Sequence, residues 1–339
     1  MIGGTSVARR LAAAAALLGA ALALSIAVGL ATGAVGMTPQ GILADIQAHV
    51  LGDGTGAASV IWDLRLPRVL LAAVIGAMLA AGGAALQGLL GNPLAEPYTV
   101  GVSSGCVLGA SVAMSWGLDA LHGGWLIPLA AFVTGAAAVA LVFAMARRAG
   151  RLDVNTFLLS GIIVGSLFWA VTTFILSASH EDIARIFLWL AGSLTSPDPW
   201  TYLGICWKVA AVALAGLFWF ARDLNAFALG EEQARQLGVE PERLKAWVIG
   251  LVTLGTAACV AAAGVIGFVG LIVPHGMRRL FGADQRTLLV SSALAGACLL
   301  VLADALARGL APPREIPIGV ITAAVGAPIF LAILTRKGA

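Results

Sequence analysis

Charge is what this chain has least of. Its 339 residues carry 20 Lys and Arg and 17 Asp and Glu, 11% in all, against 60% apolar residues. That balance excludes a soluble globular chain, a disordered one and a coiled coil. Lysine occurs three times, as Lys208, Lys245 and Lys337, and none follows a glycine, so no phosphate-binding loop is present. The four cysteines (Cys106, Cys206, Cys259 and Cys298) lie inside apolar runs without metal-ligand spacing, which reads as small buried side chains rather than a disulfide framework or a metal site. His49, His122, His180 and His275 are scattered over loops, and no His-Glu-x-x-His or Cys-x-x-Cys pattern occurs. A membrane enzyme, which needs a nucleophile with its base or a metal cluster, finds no such constellation here. The net charge of +3 sits in short clusters between apolar runs and explains orientation in a membrane better than binding to nucleic acid.

What is present is apolar sequence in lengths that fit a bilayer. Arg9 and Arg10 precede Leu11 to Gly36, a run too long for a signal-peptide core and read as a retained first span. A less apolar stretch follows, with a short surface helix expected near Pro39 to Val50. From Val69 to Leu118 one charge, Glu96, interrupts 50 residues, so two spans share the stretch. Their break falls at Gly91-Asn92-Pro93-Leu94-Ala95-Glu96-Pro97, where two prolines interrupt any helix. Further spans read as Trp125 to Ala146, Thr156 to Ala178, Tyr202 to Ala221, Thr287 to Leu306 and Ile316 to Leu334. Ala246 to Met277 has basic residues at both ends that want the same side, so it takes two short helices turning near Gly264 to Gly270. The sequence thus predicts an all-α polytopic membrane protein: one domain over 1–339, ten transmembrane helices and both termini cytoplasmic. This topology puts fourteen of the 20 basic residues inside and Arg65, Arg68, Arg185, Arg308 and Arg314 outside, with Lys208 near a span end.

Ionisable groups within the spans are also scarce, and a carrier driven by an ion gradient usually needs them. Asp304 is the nearest candidate, close to a span end, where it faces water or the bundle. An energy source outside the chain is the simpler expectation, and it requires an internal docking surface. The loop 222–245 offers one: Leu229 to Val239 has Glu231 and Glu232 in a first turn, Arg235 later and Gly238 just past the end, the start and stop signals of a short helix. A solvated loop helix fits the same pattern. Gly-x-x-x-Gly spacing at Gly101 to Gly105 and at Gly161 to Gly165 permits close helix approach.

Five segments then carry a resemblance, in order from about residue 60 to the carboxyl end. They are Arg65-Leu66-Pro67-Arg68; Gly88 to Pro97 with Gly101-Val102-Ser103-Ser104-Gly105; the Leu229 to Val239 helix; Gly267-Phe268-Val269-Gly270-Leu271-Ile272-Val273-Pro274-His275; and Pro313 to Gly319. Together they resemble the iron-chelate (siderophore or heme) and cobalamin permease family of ABC importers. Gly91 stands where that family more often has a charged or polar residue.

The resemblance implies a multi-pass permease of the bacterial inner membrane, itself no enzyme, working by alternating access. It implies a homodimer with the pathway at its interface, two cytoplasmic ATPase subunits and a periplasmic substrate-binding protein, the lipid bilayer being the remaining contact. ATP and magnesium would belong to the ATPase subunit, and no cofactor to this chain. Arg65, Arg68 and Arg308 match positions that meet carboxylates of the binding protein, with Arg314 added from its location. Arginine suits that task because it keeps its charge and forks onto carboxylates; snorkelling at a span end is the plainer alternative. Glu231, Glu232, Ala234, Arg235, Leu237 and Gly238 match the coupling region. The Thr156 to Ala178 span matches the helix lining the dimer interface, so Ser160, Ser166, Thr172 and Thr173 are expected to face the pathway. Asn92 and Pro93 read either as a gate or as a structural turn. The cavity is expected to be largely apolar. A gradient-driven secondary transporter remains the rival reading.

Overall fold

The computed structural model describes residues 2–33, 37–51, 60–118, 125–148, 150–178, 183–312 and 314–335. Within them the chain is almost entirely helical. A long first helix, α1 (Ile2–Ala31), is followed by the surface helix α2 (Pro39–Leu51), close to its expected place. A π-helical turn over Val60–Arg65 then runs straight into α3 (Leu66–Leu90), with Pro67 near the start, where its missing N–H costs nothing. After the break come α4 (Val102–Ser115), α5 (Leu126–Ala146) and α6 (Val154–Ala178). A hairpin of β1 (Arg147–Arg148) and β2 (Arg151–Leu152) joins the last two. The second half comprises α7 (Ile183–Leu190), α8 (Pro199–Trp219), α9 (Ala221–Phe227), α10 (Glu231–Gln236), α11 (Pro241–Ala263), α12 (Val269–Phe281), α13 (Gln285–Gly309) and α14 (Ile318–Thr335).

Among the described residues, seven helices are long and apolar enough to cross a membrane: α1, α3 with its π-helical turn, α5, α6, α8, α11 and α13. Two shorter apolar helices, α4 and α14, and the Pro274-containing α12 complete the bundle. The turn between α11 and α12 falls at residues 264–268, within the expected stretch. Lys208 departs from expectation. It lies well inside α8 rather than near its end, exposed on the bundle's outer surface, where its long stem can carry the ammonium toward the interface.

The centre of the bundle is α3, whose Ala- and Gly-rich stretch from Gly76 to Ala85 lets neighbours touch its backbone. A Cβ placed on Gly76 would collide with the carbonyl of Gly296 on α13, and one on Gly83 with the carbonyl of Gly270 on α12. Backbone approach of this kind drives helix association in lipid, where apolar burial contributes little. Gly105 packs α4 against Thr134, Gly135 and Ala138 of α5, and Gly161 seats α6 on Thr99 and Val100.

Two turns fasten the remaining pieces. α3 ends at Gly91 in the left-handed conformation (φ 59°), and the Asn92 Oδ1 accepts the Leu94 N–H at 2.9 Å, turning the chain into a 3-10 turn over Pro97–Val100. At the other turn, residues 191–193 after α7 clamp three helices: Ser193 N–H donates to the Ala263 carbonyl (2.8 Å), and Ile318 and Gly319 N–H donate to the carbonyls of Gly192 and Ala191 (both 3.1 Å). Phe268 opens α12 with a positive φ of 69°, the only such non-glycine among the described residues, and its ring lies against Gly326 of α14.

Candidate functional site

An open groove of about 770 Å³ lies between α4, α6 and the turn after α3. Asn92, Leu94 and Tyr98 come from the turn, Ser103, Ser104 and Val107 from α4, and Ile162, Ser166 and Trp169 from α6. Tyr98 braces the wall, its hydroxyl accepting the Ile266 N–H at 3.2 Å. Two of the hydroxyls that line the groove donate to their own helices, Ser104 to the Gly101 carbonyl and Ser166 to the Ile162 carbonyl, both at 2.9 Å. Those two retain acceptor capacity only, and no charged side chain among the described residues lines the space.

Of the residues expected to face a pathway, Asn92 and Ser166 line this groove and Ser160, Thr172, Thr173 and Pro93 do not. Ser160 (5% exposed) and Thr172 (0%) lie on the face of α6 that contains Phe157, Gly161 and Val164 and packs into the protomer. The correction is a matter of helical phase, since Ile162, Gly165, Ser166 and Trp169 occupy the neighbouring face. Pro93 is exposed beside the groove.

Glu96, half-buried behind the groove and paired with Thr99 in a capping box, is pushed by burial to a pKa of about 7. Between the ordinary value near 4.5 and 7, the folded chain keeps a proton that the unfolded chain has released, so stability falls as pH rises through this window. The loop residue Asp284 works in the opposite direction and elsewhere. Hydrogen bonds from Arg286 and Asn225 hold it near 2, so its contribution fades only in strong acid. The melting temperature of the wild-type chain in detergent is therefore expected to lose ground from pH 5 to pH 8, and Glu96→Gln to reduce that loss. Equal pH dependence in the two proteins would refute the assignment.

The arginine end is built differently from what the sequence suggests. Asp304, fully buried, receives Arg68 Nε and Nη2 on one oxygen (3.0 and 2.9 Å) and Arg308 Nε on the other (2.9 Å). Arg308 also donates to the carbonyls of Gly29 (2.8 Å) and Thr32, and Arg65 Nη1 donates to the Leu30 carbonyl at 2.8 Å. Arg65 and Arg308 thus cap the carboxyl end of α1, satisfying carbonyls that have no partner within their own helix and meeting the negative end of its dipole. The expectation that all three arginines point outward is corrected: Arg65 and Arg308 are buried, at 8% and 6% exposure. Arg68 alone of the three reaches the surface, where Nη1 meets the exposed Glu315 at 2.9 Å and Thr195 at 3.2 Å. Arg314 is exposed nearby. Asp304 is the residue whose role the sequence missed. Its one legible signal was Arg308, one helical turn along.

At the opposite end of the bundle α10 stands on the surface. Glu232, Arg235, Leu237 and Gly238 are exposed, and Leu229 and Leu237 each show 65% of their surface. Ala234 is corrected from surface residue to anchor, being fully buried against the protomer. Glu231 faces inward in part, taking Arg235 at 3.0 Å and the buried Lys245 at 2.9 Å. His122 and His180 lie outside the described residues, and no cluster of metal-binding side chains occurs among the described ones.

Comparison with known proteins supplies the family. Residues 12–336 match the FecCD transport family. The chain is 42% identical over 281 residues to the cobalamin import system permease protein BtuC of Halobacterium salinarum, covering 83% of this chain and 74% of that one. It is 40% identical over 281 residues to the hemin transport system permease protein HmuU of Yersinia pestis, covering 82% and 84%. A solved structure in an inward-facing conformation, assigned to the metal-chelate type of ABC transporter, superposes with a TM-score of 0.83 at 32% identity over 94% of this chain and 97% of that one. With an apolar groove, a buried ion network at one end and a surface helix at the other, the chain belongs to the FecCD transport family of multi-pass membrane permeases.

Proposed function

We propose that this chain is the transmembrane subunit of an ATP-driven importer that moves an iron chelate, heme or a ferric siderophore, or cobalamin into the cytoplasm by alternating access. The observation that carries the reading is the groove, wide, apolar and without a fixed ligand, which suits a bulky chelate delivered by another protein. A second copy of the chain closes its open side, with α6 presenting Ile162, Leu167 and Phe174 outward. Ten spans with both termini inside remain the topology of this reading, and the inner membrane is its place. The binding protein docks at the Arg68 end, where a carboxylate competes with Glu315 for the exposed Nη1 and Arg314 lies alongside. Two ATPase subunits, which hold ATP and magnesium, dock at α10.

The rival carrier needs a membrane ionisable group free to change partners. Asp304, the candidate read from the sequence, is held between Arg68 and Arg308, which favours the importer.

Purification in mild detergent followed by mass spectrometry tests the proposal. An ATPase and an external binding protein are expected to co-purify, and ATP-dependent uptake of ferric dicitrate, hemin or cyanocobalamin is expected after reconstitution. Transport by the chain alone, sustained by an ion gradient without ATP, would replace it with the rival. The docking surface has its own test. Aspartate at both Leu229 and Leu237 is expected to weaken ATPase binding by about tenfold or more, as truncation of apolar anchors does at other interfaces. The melting temperature of the permease should hold, because both side chains face solvent. Undiminished co-purification would remove α10 from the interface.

A further inference from the structure

Lys245 is the one lysine of the three buried among the described residues, its side chain 3% exposed at the start of α11. An ammonium has three donors and no acceptor, so a buried one must find three partners. Lys245 finds them on three separate pieces of chain. Nζ donates to Glu231 Oε2 of α10 at 2.9 Å, to Glu242 Oε1 of its own helix at 2.9 Å and to the Leu152 carbonyl of β2 at 3.2 Å. It also lies 5.9 Å from the centroid of the Phe227 ring, at the end of α9. Glu242 completes the clasp from the other side, its Oε2 accepting the Leu152 N–H at 2.7 Å. Both backbone groups of Leu152 are therefore held by the Lys245–Glu242 pair.

Leu152 stands two residues before α6. The next residue, Asp153, caps that helix by accepting the Thr156 N–H at 2.7 Å, and α6 forms one wall of the groove. Charge-assisted hydrogen bonds thus tie the exposed helix α10 to Leu152, the residue next to the cap of the helix that faces the cavity. Parting α10 from Lys245, whose side chain is 3% exposed, would leave one of the three donors of a buried ammonium without its acceptor, so α10 and the start of α6 are tied through it.

We infer that Lys245 is the positioning residue that transmits displacement of α10 to α6 and so to the groove. The inference rests on the reading of α10 as the ATPase docking helix. An ATPase subunit that shifts α10 pulls on Glu231, and Lys245 passes the shift to Leu152 and the cap of α6. Its role is in coupling rather than in assembly, because Lys245 itself is buried and presents no surface to a docked subunit.

The test uses the complex of the full chain with its co-purified ATPase subunit and needs no cargo. Ser166→Cys, in a chain whose half-exposed Cys298 is replaced by Ser, places a thiol in the groove. Its rate of reaction with a membrane-impermeant maleimide is compared with and without ATP plus vanadate. Trapping is expected to change the rate by about tenfold with Lys245 present and by less than about twofold with Lys245→Met, within the span of measured allosteric couplings. ATPase co-purification should be unchanged. Glu231→Gln, which keeps the acceptor and removes the charge, should give an intermediate change and serves if the methionine variant does not fold. A full response in both variants, or loss of the ATPase subunit from Lys245→Met, would overturn the inference. Failure of the docking reading looks different: the complex with Lys245 intact would then show no response to ATP and vanadate.

Discussion

Asp304→Ala is expected to cost about 3–5 kcal/mol of stability, because removing one partner of a buried ion pair strands the other. Two guanidinium groups depend on this carboxylate. Arg308, 5% exposed, has the carbonyls of α1 as its remaining acceptors, and Arg68, 14% exposed, retains Glu315 and Thr195. Unfolding in detergent, followed by melting temperature or SDS titration, measures the loss. The paired variant Asp304→Leu with Arg308→Met separates the causes, since replacing both charges by apolar groups of similar size is often neutral. It is expected to be the more stable of the two variants even though it deletes two hydrogen bonds to α1. If the paired variant is the less stable, capping of α1 rather than charge compensation is what the network contributes.

The second large effect concerns helix contact rather than charge. Gly83→Val is expected to destabilise by about 1–3 kcal/mol or more, the usual range for overpacking, because the added carbons meet the backbone of Gly270 and no rotamer avoids it. Gly76→Val should behave alike against Gly296, parting α3 from α13. Gly204→Ala on α8 is the control. An added methyl there meets nothing within 4 Å, and the higher helix propensity of alanine should leave stability equal or slightly raised. A melting temperature for Gly83→Val equal to that of the control would mean that α3 and α12 can separate at little cost.

How much of this was legible depended on range. The spans were readable because hydropathy is a local property that the bilayer selects directly, and so was the break at Gly91 to Pro97, where two prolines and a left-handed glycine leave the chain little choice. The helix at α10 was readable from its charges, but the inward turn of Ala234 was not. Helix α7 escaped notice because its eight residues are fixed by the carbonyls of Ala191 and Gly192 acting on α14, a contact invisible in sequence. The burial of Arg308 is hidden for the same reason: the Gly29 carbonyl that holds it lies 279 positions away. Ser160 and Thr172 failed on phase alone, since polarity marks a candidate pathway residue without saying which side of the helix it occupies. Lys245 looked like one more basic residue on the cytoplasmic side, and only the fold shows that it is buried.

The Asp304–Arg308 pair also bears on how the chain enters its membrane. The two residues are one turn apart on α13, so they can meet as soon as that helix forms, before any neighbour is in place. A lone arginine or aspartate at the centre of an inserting helix costs ~2.5–3.5 kcal/mol on insertion scales. Delivered as a matched couple near the helix end, the two enter without net charge, and α13 needs no help from Arg68 until the bundle closes. The order of synthesis then suits the order of assembly: α1 and α3 are already waiting when α13 arrives with its own counter-ion, and Arg308 has only to reach sideways to fasten the first helix to the last third of the chain.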